Sequence, residues 1–138
     1  MAYLLDTCLL SEVWKPSPNP GVLRWLGDSY EDELFLSVLS LGEITKGLER
    51  LPDGKKRHRI VRDYSVLRSR FASRVLGVSD VVAERWGEVS AGAERAGRRL
   101  HVVDGLLAAT ALVHGLTVVT RNVDDFESTS VPLLDPWS

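Results

Sequence analysis

The chain has 138 residues, 44% hydrophobic and 26% charged, and a formal net charge of −2. That size suits a single domain, residues 1–138, whose core needs neither disulfides nor a structural metal. A lone Cys8 excludes a disulfide framework or a cysteine zinc cluster and suits a reducing cytoplasm, and no apolar stretch is long enough to span a membrane.

Tyr3-Leu4-Leu5-Asp6 reads as an apolar strand ending in an acid, with a helix from Thr7 to Val13 behind it. Asp6 is either the cap of that helix or a ligand-binding carboxylate. Pro16-Ser17-Pro18-Asn19-Pro20 forms a rigid loop, and Pro20 opens a short helix through Val22, Leu23, Trp25 and Leu26. Leu34–Ser37 is the second strand. Ser40 is the expected cap of a helix with the stripe Leu41, Ile44 and Leu48, stopped by Pro52-Asp53-Gly54. Glu43 lies one residue off that stripe. Taken alone, it is a boundary residue with its head in solvent.

Lys55 to Arg74 carries apolar residues at Ile60, Tyr64, Leu67 and Phe71, steps of four, three and four. This predicts an amphipathic helix with a heavily basic outer face, which either stays solvated or contacts phosphate. With net charge so near zero, nucleic-acid binding needs such a local patch, or cations over a carboxylate cluster. Val75–Val78 is the third strand, and Ser79 caps a helix striped by Val82, Trp86, Val89 and Ala93 that ends about Gly97. A basic loop holding Arg98 and Arg99 follows.

Asp104 then opens an alanine-rich helix in which Leu107, Ala108, Ala111 and Leu112 recur at helical steps. By itself an acid in the first turn is an ordinary capping residue, favoured by the helix dipole. Gly115 stops the helix, and Leu116–Val119 is a β-branched buried strand delivering Thr120-Arg121-Asn122, with Asp124 and Asp125 beyond. Val123 to Phe126 makes a turn or short helix. Val131-Pro132-Leu133-Leu134 is a last strand, placed at an edge by its proline. Alternating strands and helices predict an α/β fold with a mainly parallel sheet and a site at the strands' carboxyl ends.

Leu4-Leu5-Asp6-Thr7, Glu43, Asp104 before Leu107-Ala108-Ala109-Thr110-Ala111, and Thr120-Arg121-Asn122-Val123-Asp124-Asp125-Phe126 together resemble the signature of PIN-domain nucleases. Within these the chain is most similar to the VapC and FitB-like toxins of bacterial toxin–antitoxin pairs, over nearly its whole length. The resemblance implies a PIN-like fold and acidic site positions at Asp6, Glu43 and Asp104, with Asn122 or Asp125 in the fourth. Cys8 departs from it, standing where the family has a small polar residue. It also implies an RNA substrate, a homodimer, and a small antitoxin through which DNA is contacted only indirectly.

Oxygen-only ligands favour hard Mg²⁺, or Mn²⁺ in its place, over zinc. On that chemistry Asp6 and Asp104 are the main expected ligands, and Glu43 and Asp125 a second-metal or water-mediated pair that orients the nucleophile. Asn122 suits positioning. Thr7 is expected to support the carboxylates, and Thr120 either does the same or simply ends its strand. Arg121 pairs with a carboxylate, faces a phosphate or lies exposed; Arg98 and Arg99 are further candidates for phosphate contact. The second class of function is a regulatory module that occupies DNA with its antitoxin, its catalysis vestigial. Finally, Trp14 beside a proline loop and Trp137 near the C-terminus are expected to be exposed and to mark interaction surface.

Overall fold

Five short strands, all parallel, form one sheet in the order β3-β2-β1-β4-β5. The computed structural model describes all residues, Met1–Ser138. The strands are β1 (Tyr3–Leu5), β2 (Leu34–Ser37), β3 (Val75–Leu76), β4 (Thr117–Val119) and β5 (Leu133–Leu134). Six helices connect or flank them: α1 (Thr7–Val13), α2 (Pro20–Asp28), α3 (Val38–Arg50), α4 (Lys55–Arg70), α5 (Asp80–Arg95) and α6 (Val102–His114). None is long and apolar enough to cross a membrane. This is the expected α/β fold, with β5 at the edge.

The central strand explains the layering. Successive strand residues point to opposite faces, so Leu4 joins Leu107, Ala108, Ala111, Val118 and Phe126 in one core. Leu5 joins Leu9, Leu36, Ile44 and Phe71 in the other. Both leucines are fully buried, and each such side chain contributes roughly 1.5–3 kcal/mol. A sheet buried on both faces favours continuous apolar runs over alternation, which is why three- and four-residue segments suffice as strands here.

Strand order then selects the place for chemistry. Chain connections run to β2 and β3 on one side of β1 and to β4 and β5 on the other, so the sheet's topology switches at β1 and β4. Leu5 pairs with Val119, and the Asp6 amide donates to the Val119 carbonyl at 3.0 Å. Asp6 and Thr120 therefore leave adjacent strands side by side at the crevice where α/β sheets bind ligands.

Local details differ from expectation in four places. Ser37, not Ser40, caps the third helix, its Oγ accepting from the Leu39 amide at 3.0 Å. Val38 and Leu39 therefore belong to α3, and β2 passes into it without a loop. The basic helix stops at Arg70, because Phe71 turns into the core, and β3 keeps only Val75 and Leu76 of its expected four residues. The final strand likewise shortens to Leu133 and Leu134, Pro132 lending only its carbonyl, to the Val118 amide.

The tryptophans are the fourth correction. Trp14 and Trp137 are half-buried and pack against the first core. Trp137 reaches Glu12 Oε1 with its indole N–H at 3.3 Å, and Asn19 hydrogen-bonds the backbone of Ser138 through both ends of its amide. Gly21 makes room for this tail, since a Cβ there would collide with the Pro136 carbonyl and the Ser138 side chain. Terminal position alone predicts exposure; a docked tail reverses it.

Candidate active site

Asp6 is buried and caps α1. Its Oδ1 accepts from the Thr7 amide at 2.8 Å, and its Oδ2 accepts from Thr120 Oγ1 at 2.7 Å and from the Cys8 thiol at 3.6 Å. Thr120 is fully buried and also accepts the Asn122 amide at 3.0 Å, which bends the chain after β4. Of the two readings of Thr120, the one that puts its hydroxyl on a carboxylate is the one observed. Burial, with the Asp6 charge behind it, pushes the Cys8 thiol up from its ordinary value, so Cys8 acts as a neutral donor.

Glu43 is exposed on the second turn of α3, yet not free. Thr7 Oγ1 lies 2.7 Å from Glu43 Oε1 and 2.9 Å from the hydroxyl of fully buried Ser40. A hydroxyl has one proton, and the carboxylate can only accept. Thr7 therefore donates to Glu43, and Ser40 donates to Thr7. Ser40, expected as a cap, is instead the inner end of this relay. Its place one residue before Leu41 on the buried stripe is the signal that could have found it.

Asp104 has no hydrogen-bond partner. It stands in the first turn of α6, half-buried, and its carboxyl is pushed up to about 6. Burial is the largest cause; the charges of Asp6, Asp125 and Glu43 add to it, and His101 opposes. The charges of the other three predicted acids thus all reach Asp104. Of the two residues considered for the fourth position, Asp125 contributes charge, while the amide of Asn122 cannot. Asp125 sits in a 3₁₀ turn, Val123–Thr129, held by its own amide on the Asn122 carbonyl at 3.1 Å.

Close packing sets the depth of Asp104. Its neighbour Gly105 faces Trp86 of α5, and a Cβ there would lie 3.0 Å from the indole and 3.2 Å from Leu100. Among buried side-chain polar atoms only the Trp86 Nε1 lacks a partner.

The predicted basic residues disperse. Arg121 lays its guanidinium 5.9 Å from the centre of the Trp137 ring. Arg98 pairs with Glu127 at 3.0 Å, and Arg99 is exposed without an ion pair. No three His, Cys, Asp or Glu side chains stand close enough to enclose one ion. That excludes an all-protein cage but suits Mg²⁺, which keeps several waters and takes one or two carboxylates directly. Oxygen donors whose charges repel one another fit such a cation.

Two cavities open nearby. One, of about 360 Å³, lies away from the acids between α1, α2 and α4; Leu9, Leu10, Trp14, Leu26, Leu67 and Phe71 are among its walls. The other, of about 300 Å³, starts at Thr7 and Glu43.

A parallel sheet ordered β3-β2-β1-β4-β5, with acids gathered at the carboxyl ends of β1 and β4, defines an α/β domain built around an acidic crevice. The chain belongs to the PIN domain family, whose model matches residues 3–131. Within it, the chain is 34% identical to the toxin FitB of Neisseria gonorrhoeae, covering 97% of each chain. It is 33% identical to a VapC ribonuclease of Sinorhizobium fredii, covering 97% of this chain and 96% of that one. Its fold superposes on the FitAcB crystal structure from Neisseria gonorrhoeae with a TM-score of 0.93 at 33% identity, covering 98% of both chains.

Proposed function

We propose that the protein is a Mg²⁺-dependent endoribonuclease, the toxin of a toxin–antitoxin pair, with Mn²⁺ able to replace Mg²⁺. The observation that carries this reading is Asp104. Its carboxyl is raised to about 6 by burial and by three other carboxylates, and it has no donor of its own. Asp6 and Asp104 would hold the cation. A cation held there would supply Lewis-acid polarisation of a phosphoryl oxygen and a lowered pKa for the attacking water. Thr120 holds Asp6 from behind, and the Ser40–Thr7 relay holds Glu43, so neither acid can relax away from the crevice. Glu43 and Asp125 would be a second-metal or water-mediated pair that orients the attacking water by accepting its hydrogen bonds, while Asn122 is a neutral positioning group at the rim. The names of the relatives, a VapC ribonuclease and a FitB toxin, support the same assignment.

The apolar cavity of about 360 Å³ supports a partner as well. It suits the apolar anchors of an antitoxin segment, and a basic side chain beyond them would neutralise the carboxylates in place of the metal. DNA is reached only through that partner. A homodimer belongs to this reading on the family resemblance alone, because the tryptophans are half-buried. The purified chain should cut RNA in millimolar Mg²⁺ and stop when EDTA is added. Absence of cleavage in either Mg²⁺ or Mn²⁺ would remove the nuclease assignment.

A further inference from the structure

The second cavity begins at the acids and ends among cations. Its wall runs from Thr7 and Glu43 past Trp14, Ile44 and Ile60 to Lys56 and Arg59 on α4. Most neighbouring charges are already committed. Lys15 pairs with Glu12 at 3.0 Å, Arg57 with Glu49 at 3.7 Å, and Arg70 with Glu31 at 2.8 Å. Lys56 and Arg59 face the cavity without any carboxylate partner, and both are exposed. The groove is therefore negative where a metal would neutralise it, positive at its far end, and apolar along its wall.

We propose that this groove is a subsite for the single strand of RNA on one side of the scissile bond. The inference rests on the ribonuclease reading and adds to it a direction for the substrate. Lys56 and Arg59 take the phosphates flanking the reacting one, and the indole of Trp14 with Ile44 and Ile60 lines the space for a ribose or base. Single-strand binding sites elsewhere combine these two elements, cations along the backbone and an apolar or aromatic wall for the bases. The groove has a volume of about 300 Å³. The basic face of α4 thus divides. Two cations serve the groove, while Lys55, Arg62 and Arg68 on the same helix lie outside it.

The test compares a groove variant, Lys56→Ala with Arg59→Ala, against a control on the same helix, Arg62→Ala with Arg68→Ala. Each removes two exposed positive charges from the full-length protein, so net charge changes equally. Binding of a fluorescent 12-nucleotide single-stranded RNA is read by anisotropy in EDTA, across a salt series. Cleavage of the same RNA is read separately in Mg²⁺. The groove variant should bind about tenfold or more weakly, and its log–log salt slope should fall by about 1.4, or about 0.7 for each phosphate no longer neutralised. The control should stay within about twofold of the unsubstituted protein. Equal losses in both variants, or none in the groove variant, would overturn the subsite and leave the ribonuclease reading standing. RNA that binds through the groove but is never cut would sink the nuclease reading and spare the subsite. No binding by the unsubstituted protein at micromolar concentration would overturn both.

Discussion

Glu12 and Asp104 are both acids withdrawn from water, and their surroundings are opposite. Glu12 is buried at the end of α1, where it receives the Lys15 ammonium at 3.0 Å, the Asn19 amide at 3.0 Å and the Trp137 indole at 3.3 Å. Its carboxyl is held below the ordinary range, chiefly by the Lys15 hydrogen bond. Asp104 receives nothing and is pushed upward by burial and by other acids. A buried charge with its donors in place fastens structure; one surrounded by like charges awaits a cation. Position on a helix does not separate the two. Only the partners do, and for Glu12 they range from Lys15, three residues on, to Trp137, 125 residues away.

The largest expected effect separates their roles in chemistry. Asp104→Asn removes a ligand charge at nearly constant shape, and RNA cleavage should fall at least about 10³-fold, about 4 kcal/mol in barrier. Glu12→Gln should leave cleavage within a few-fold in the same assay. Comparable losses for both would collapse the distinction.

Next comes stability, where the two substitutions should differ in sign. Glu12→Gln presents an amide to an ammonium and should lower the melting temperature by several degrees at pH 7. Because the Glu12 carboxyl is depressed in the folded state, its contribution exists at neutral pH and is lost as pH falls through the carboxylate range. Asp104 runs the other way. Its folded value of about 6 exceeds its ordinary 3.8, so the native state binds the extra proton and stability falls as pH rises from about 4 to 6. Without metal, Asp104→Asn should therefore melt higher than the unsubstituted protein at pH 8, by about 1 kcal/mol once solvent screening is discounted, and equally at pH 3.5. Unchanged melting at pH 8 would show that the acids do not strain one another.

The smallest effect sharpens the same contrast. Mg²⁺ or Mn²⁺ at ten times its dissociation constant should stabilise the protein by about 1.4 kcal/mol, by mass action. Asp104→Asn should lose most of that response and Glu12→Gln none of it. A melting curve indifferent to both ions at millimolar concentration would leave the crevice without a cation.

Much of this is readable in the chain itself, for a reason visible in particular residues. Leu4-Leu5-Asp6, Leu34–Ser37 and Val118-Val119-Thr120 are apolar runs ending in a polar residue, and local period places each at a strand's carboxyl end. Periodicity says nothing about partners. Ser40 passes for a cap because its real contact, Thr7, is 33 residues away. Glu12 shows only its near partner Lys15, since its indole donor is 125 residues away. Trp14 and Trp137 mislead in the same way, their shared packing being a tertiary fact.

The central strand carries a consequence for biosynthesis. Asp6 is translated 114 positions before Thr120, which orients it, and Asp125 comes later still. The strand that ends at Asp6, β1, pairs on one side with β2 and on the other with β4. Until β4 and the turn after it have left the ribosome, the nascent chain owns no complete crevice. A crevice built this way exists only once β4 and the turn after it have joined the sheet.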